Sequence, residues 1–262
     1  MSLSDFHNSR MGNRAFVVGN GPSLEKLDMS FLRNEITFGA NRVFLGFKDW
    51  GFPFTYWSTV DETLIKQSGK EFSQELPNEM VKFIPEKLIH HFDLSRLKNC
   101  HPVNIIYSPD PFPQLSTQPD RIFDGWCMAY VLLQLALVMG CTPIYLIGVD
   151  YNYEIPKEDL VEGGKKWVSN NSKNHFTSEY CNGSKGQIWN LPRFDKTDQA
   201  FAYAAKWNKE HGEVIFNATP DSHLEVFPKV LRAHLDTGFL CLVRGWDWLH
   251  GGCGVWALFG RS

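Results

Sequence analysis

Phe16-Val17-Val18-Gly19-Asn20-Gly21-Pro22-Ser23-Leu24 is the stretch whose reading decides the fold. An apolar, largely β-branched run enters Gly-Asn-Gly-Pro-Ser, which predicts a buried parallel strand, a tight turn and the start of a helix. Gly19 and Gly21 are expected to supply positive φ and close backbone approach, Pro22 a first helical turn and Ser23 a cap. Amides at such a turn attract phosphate, which makes Gly19, Asn20, Gly21, Pro22 and Ser23 candidate nucleotide contacts. The spacing is neither Gly-x-Gly-x-x-Gly nor a Walker loop with its lysine.

The same design recurs along the chain. Ile36 to Arg42 predicts a second strand with Asn41 at its polar tip, and Thr55 to Asp61 a third that finishes at a carboxylate. Met80 to Pro85 and Val103 to Tyr107 read as further strands. Pro143 to Asp150 is a second strongly buried strand with Gly148 and Asp150 at its carboxyl end, and Val214 to Thr219 a closing strand tipped by Pro220, Asp221 and Ser222. Helices are expected over Leu24 to Arg33, over Trp126 to Met139 as the longest apolar helix, opened by Asp124-Gly125, and over Asp195 to His211. Strand followed by polar tip, repeated, is the mark of an α/β protein with a Rossmann-like, doubly wound, mostly parallel sheet. Ligands in such sheets collect outside the strands' carboxyl ends, where Asn20, Asn41 and Asp61 are expected to converge.

Residues 15–232 read as one nucleotide-binding domain, preceded by an N-terminal extension at 1–14 and followed by an atypical tail at 233–262. Met1-Ser2-Leu3 reads as an added leader, with Met11 as the natural start. Glu154 to Leu191, rich in Gly, Asn, Ser, Lys and aromatics, reads as a lid-like insertion. His90 and His91 read as solvated. The tail carries Trp246, Trp248 and Trp256 among glycines, so it is either a peripheral membrane contact or an extension foreign to the fold.

With 262 residues, 43% of them hydrophobic, the chain can bury one sizeable core. A net charge of −3 and a pI near 6.3 argue against nucleic acid as a partner. Six cysteines without a Cys-x-x-Cys pair suit free thiols in a reducing cytoplasm. The polar start and the lack of an 18-residue apolar run add to the cytoplasmic expectation. A homo-oligomer is compatible with all of this.

Gly19-Asn20-Gly21-Pro22-Ser23-Leu24, Asn41, Ile144-Tyr145-Leu146-Ile147-Gly148-Val149-Asp150 and His175 together resemble the small bacterial sialyltransferases that use CMP-sialic acid. With Asn174-His175-Phe176 and Asn217-Ala218-Thr219-Pro220 added, the order resembles still more the 6-hydroxymethylpterin diphosphokinase-like proteins, over about 16–230. The sialyltransferase resemblance implies a CMP-linked nucleotide-sugar donor held by Asn20, Asn41 and the Pro220-Asp221-Ser222 turn. It further implies His175 as general base toward an acceptor hydroxyl, with Tyr151 and Tyr153 assisting the departing phosphate and Gly125 near the phosphates. The diphosphokinase resemblance implies ATP with Mg2+, held by Asp61 and Asp150. The leading expectation is a transferase with a nucleotide-activated donor and a small glycan or small-molecule acceptor, of the sialyltransferase-like type in surface-glycan (lipopolysaccharide) biosynthesis. An ATP- and Mg2+-dependent diphosphokinase stands second, and a catalytically silent nucleotide-binding module third.

Overall fold

The computed structural model describes residues 2–155, 157–164, 166–168, 173–182, 187–231 and 242–243. The chain lays down β1 (Ala15–Val18), β2 (Ile36–Ala40), α1 (Phe47–Trp50), β3 (Tyr56–Ser58), α2 (Glu62–Glu75), β4 (Val81–Pro85) and β5 (Cys100–Val103). Next come the paired β6 (Ile105–Ile106) and β7 (Ile122–Phe123), then α3 (Met128–Val138) and β8 (Ile144–Ile147). The insertion carries β9 (Leu160–Val161), β10 (Lys166–Trp167), α4 (Glu179–Asn182) and β11 (Trp189–Asn190). The chain then closes with α5 (Phe194–Glu210), β12 (Ile215–Asn217), β13 (Lys229–Val230) and β14 (Leu242–Val243).

The central sheet has the order β14-β13-β12-β8-β1-β2-β3-β4-β5. Its eight strands from β13 to β5 run parallel, and β14 joins antiparallel. The chain winds outward from β1 to β5, then crosses back to place β8 on the other side of β1. That reversal between β1 and β8 is the switch point at which open α/β sheets form a ligand crevice.

Burial on both faces explains the unbroken apolar strands. Ala15 and Val17 enter the core beneath α3 and α5, while Phe16 and Val18 enter the opposite core with Leu64, Ile65 and Phe72 of α2. Every residue of α3 from Ala129 to Val138 is buried, as an apolar pattern encircling a helix demands.

Several expectations are corrected. The helix expected from Trp126 begins at Met128, because Gly125 (φ 53°) and Trp126 (φ 56°) are left-handed and cannot start an α-helix. At 11 residues it is the longest apolar helix, as expected, since the longer α2 (14) and α5 (17) bury only one face. Leu24 to Arg33 forms two 3-10 turns, Pro22–Lys26 and Met29–Leu32, split at the extended Leu27 and Asp28, whose carboxylate accepts from the Ser30 amide. Beyond the expected closing strand, β13 and β14 continue the sheet.

The segment read as an N-terminal extension packs on the domain: Leu3 is buried, and Phe6 meets Phe83 and His101 edge-on. The amides of Asn8, Arg10 and Gly12 bond the carbonyls of Val138, Met139 and Gly140. Trp246, Trp248 and Trp256 lie outside the described residues. Among the described residues no helix is long and apolar enough to cross a membrane.

Candidate functional site

At the β1/β8 switch point lies a cavity of about 490 Å3. Gly19, Asn20, Gly21, Asn41, Asp61, Gly148, Asp150, Tyr151, Tyr153 and His175 all line it. Four strand tips, after β1, β2, β3 and β8, therefore meet the insertion in one place.

The two glycines after β1 serve the protein's own packing. Gly21 has φ −71°, and a Cβ on it would lie 1.8 Å from Asp150 Oδ2; one on Gly19 would lie 2.2 Å from the Gly148 carbonyl oxygen. Neither glycine has positive φ, which corrects that expectation; what they permit is the close approach of the β1 and β8 loops. The amides of Gly19, Gly21 and Ser23 are also spoken for. Gly19 N–H donates to the Ile147 carbonyl at 2.7 Å, and Gly21 N–H to that of Gly148 at 2.9 Å. The Ser23 amide (3.0 Å) and hydroxyl (2.8 Å) both donate to the Asp150 carboxylate. That carboxylate thus occupies the place expected for a phosphate at Ser23, and burial shifts its pKa upward. Ser23 is not a cap, and neither it nor Pro22 lines the cavity.

The Pro220-Asp221-Ser222 turn also stays off the cavity wall and instead braces the β8 loop from behind. Ser222 Oγ donates to the Val149 carbonyl at 2.7 Å and accepts from Asn217 Nδ2 at 3.1 Å. The Val149 amide donates to Thr219 Oγ1 at 3.1 Å, and the His223 amide to the Asp150 carbonyl at 2.9 Å. Gly125 is likewise absent from the lining, while its neighbours Asp124 and Trp126 belong to it. The Asp124 carboxylate accepts from the Ser108 amide at 3.1 Å, and burial raises its pKa.

Asn41 takes φ 52°; its Oδ1 accepts from Thr59 Oγ1 at 2.8 Å and its carbonyl from Trp57 Nε1 at 2.8 Å. Asn20 Nδ2 donates to the Ala40 carbonyl (3.1 Å) and to the Tyr180 hydroxyl (3.3 Å), whereas its buried Oδ1 has no hydrogen-bond partner. Asp61 caps α2 by accepting from the Leu64 amide at 3.0 Å, and accepts from Asn190 Nδ2 at 3.0 and 3.1 Å. The Tyr151 hydroxyl donates to Asp198 at 2.8 Å, and burial with that carboxylate pushes its pKa up.

The insertion is anchored over these tips. The Phe176 amide donates to the Asn20 carbonyl at 2.9 Å. Buried Arg42 donates to the Tyr180 carbonyl at 2.7 Å and pairs with Glu71 at 2.6 Å. Gln67 and Ile188 exchange two hydrogen bonds of 2.9 Å, and Gln187 donates to Ser68 at 2.7 Å. His175 is stacked on Tyr180 with centroids 3.8 Å apart, and its Nδ1 lies 3.6 Å from Cys181 Sγ. Burial, with the Arg42 guanidinium adding to it, holds His175 down at about 3, so the ring is neutral at physiological pH.

The sequence reading missed Arg42, Asp124, Tyr180 and Trp189. Arg42 follows the predicted tip residue Asn41 directly and Asp124 precedes Gly125, so proximity to the motifs was an available signal for both. For Tyr180 and Trp189 the linear pattern held none.

Asp61 and Asp150 are hard oxygen donors in the cavity lining, the ligand type Mg2+ takes when phosphate oxygens complete its shell. Among the described residues no group of three His, Cys, Asp or Glu side chains is placed to hold an ion alone.

In comparisons with known proteins, the model of the family described as 6-hydroxymethylpterin diphosphokinase MptE-like matches residues 1–156, which contain β1 to β8 and every strand tip named above except that of β12. No curated protein and no solved structure matches the chain.

Proposed function

Because the chain belongs to the 6-hydroxymethylpterin diphosphokinase MptE-like family, we propose that the cavity binds ATP together with Mg2+ and transfers diphosphate to the hydroxymethyl group of a pterin-like acceptor. In that reaction the acceptor oxygen bonds to the β-phosphorus, the bond from that phosphorus to the α,β-bridging oxygen breaks, AMP departs and the hydroxyl proton is released. The cation supplies charge neutralisation of the polyphosphate.

The balance of charge on the cavity wall is the observation that carries this reading. Asp61, Glu62, Asp124 and Asp150 line it against a single described cation, Arg193, while His175 is neutral. Glu62 is paired with Lys66 and Arg193 with Asp195, which leaves Asp61, Asp124 and Asp150 without a cationic partner on the wall. A polyphosphate entering a wall with this excess of carboxylates is repelled unless its charge is already offset. That excess supports metal-assisted binding. The sialyltransferase-like expectation, with its CMP-linked donor, has no counterpart in the comparisons and offers no answer to the carboxylate excess.

In this reading Asp61 and Asp150 hold the metal side of the nucleotide, Asn20 and Asn41 position it across the β1 and β2 tips, and the insertion excludes water. Tyr151, Tyr153 and His175 orient the substrates through hydrogen bonds and ring contacts.

Thermal shift is the test. Stabilisation by ATP with Mg2+, lost when EDTA replaces the metal, supports the reading, and chromatographic release of AMP dependent on 6-hydroxymethylpterin completes it. Equal stabilisation by CMP or CDP without metal overturns it in favour of nucleotide-sugar transfer.

A further inference from the structure

Five aromatic residues are exposed among the described residues: Tyr107 (43%), Trp126 (43%), Tyr153 (41%), Phe194 (36%) and Tyr203 (44%). The first four line the one cavity described above. Exposed aromatic surface gathered at a single opening is the signature of a binding surface, whereas scattered exposure needs no explanation.

The local backbone singles out Trp126. It holds φ 56°, a left-handed conformation costly for a bulky side chain, and follows Gly125 at φ 53°. Asp124 braces this pair from both sides: its carbonyl accepts from the Cys127 amide at 3.1 Å and its carboxylate from the Ser108 amide at 3.1 Å. The indole is backed by the Arg193 guanidinium at 5.3 Å, and Asp195 grips that guanidinium through two bonds of 2.8 Å. Tyr107 is immobilised by its hydroxyl, which donates to the Val60 carbonyl at 2.9 Å. Tyr153 and Phe194 lie 6.3 Å apart, and Phe194 meets Tyr151 edge-on at 5.4 Å. None of these contacts uses the indole as core filling. The strained backbone leaves the indole exposed on the cavity lining.

We propose that Trp126 is the stacking platform for a planar heteroaromatic ring, with Tyr107, Tyr153 and Phe194 around it, and that it sets which ring the cavity accepts. This rests on the transfer reading only for the reaction that the ring then enters; the platform itself is a matter of binding. The one cation on this aromatic rim, Arg193, is already held by Asp195, and an aliphatic chain would leave the aromatic surface without a matching π-system. Two sources share the ring chemistry, the base of the nucleotide and the acceptor.

The experiment measures binding of 6-hydroxymethylpterin alone, and of ATP with Mg2+, by calorimetry for the wild-type chain, Trp126→Ala and Trp126→Phe. Loss of one aromatic stack weakens a ring by about tenfold or more. Selective weakening of the pterin by Trp126→Ala, with Trp126→Phe restoring it, supports the proposal and assigns the acceptor; selective weakening of ATP supports it and assigns the base. Wild-type affinity of Trp126→Ala for both ligands overturns it. Where Trp126→Ala does not fold, Phe194→Ala is read by the same criteria. Ring binding that depends on Trp126 without AMP release would leave the platform standing and remove the transfer reading; AMP release with unchanged KM values in Trp126→Ala would do the reverse.

Discussion

Acidification tests the placement of His175 directly. The imidazole has an ordinary value of 6.5 and is held at about 3 in the folded chain. Above pH 6.5 it is neutral in both states and stability carries no proton term. Below that, the unfolded chain takes up a proton that the folded chain refuses, so stability falls as pH falls toward the folded value. The slope is about 1.4 kcal/mol per pH unit, which makes the loss between pH 7 and pH 5 about 2 kcal/mol. Urea denaturation of the wild-type chain and of His175→Gln, each at both pH values, isolates this contribution, because every other titrating group is common to the two proteins. The wild type is expected to lose about 2 kcal/mol more than the variant over that interval. The protection factor of the Phe176 amide, bonded to the Asn20 carbonyl, should fall with acid in the wild type more than in the variant. An identical pH dependence in both proteins would refute the buried, neutral imidazole stacked on Tyr180.

Other outcomes follow from the same geometry. Gly21→Ala forces a Cβ against Asp150 Oδ2 and should destabilise by about 1–3 kcal/mol in urea unfolding; Asp150→Ala in the same chain should recover part of that loss, and strict additivity would count against the contact. Asp61→Asn keeps the cap on α2 while removing charge, so Tm should hold and the Mg2+-dependent shift with ATP should shrink; Asp61→Ala should also lose about 1 kcal/mol of stability. Arg42→Met removes the bond to the Tyr180 carbonyl and the pair with Glu71, so limited proteolysis should cut faster between 173 and 191 than in the wild type. Equal cleavage rates would show that Arg42 does not anchor the insertion.

The architecture was legible because parallel strands buried on both faces leave a blunt signal. Phe16 to Val18 and Ile144 to Ile147 are unbroken apolar runs ending in glycine and a polar tip, and they lie side by side at the switch point. Asn20, Asn41, Asp150 and His175 were placed from strand tips and resemblance, and they share one cavity. The purpose of the glycines was not legible. Gly-Asn-Gly suggests positive φ, and only the proximity of the Gly148 and Asp150 loop, more than 120 residues away in the chain, reveals that the missing Cβ atoms make room for protein. The Ser222 hydroxyl was misread for a similar reason: a polar residue at a strand tip looks alike whether it faces a ligand or braces the neighbouring loop. The insertion was recognised by composition, yet β9, β10 and β11 are two residues each, too short for any periodicity to announce.

The outer strand β5 has a bearing on how the protein behaves in crowded solution. It ends the sheet after four residues, Cys100 to Val103, and Pro102 within it has no amide proton to offer. A neighbouring molecule seeking to extend the ladder meets a gap in the row of donors within one strand length. Resistance to lateral fusion is thereby written into a single imino acid at the margin, at no expense to the crevice on the far side of β2 and β3.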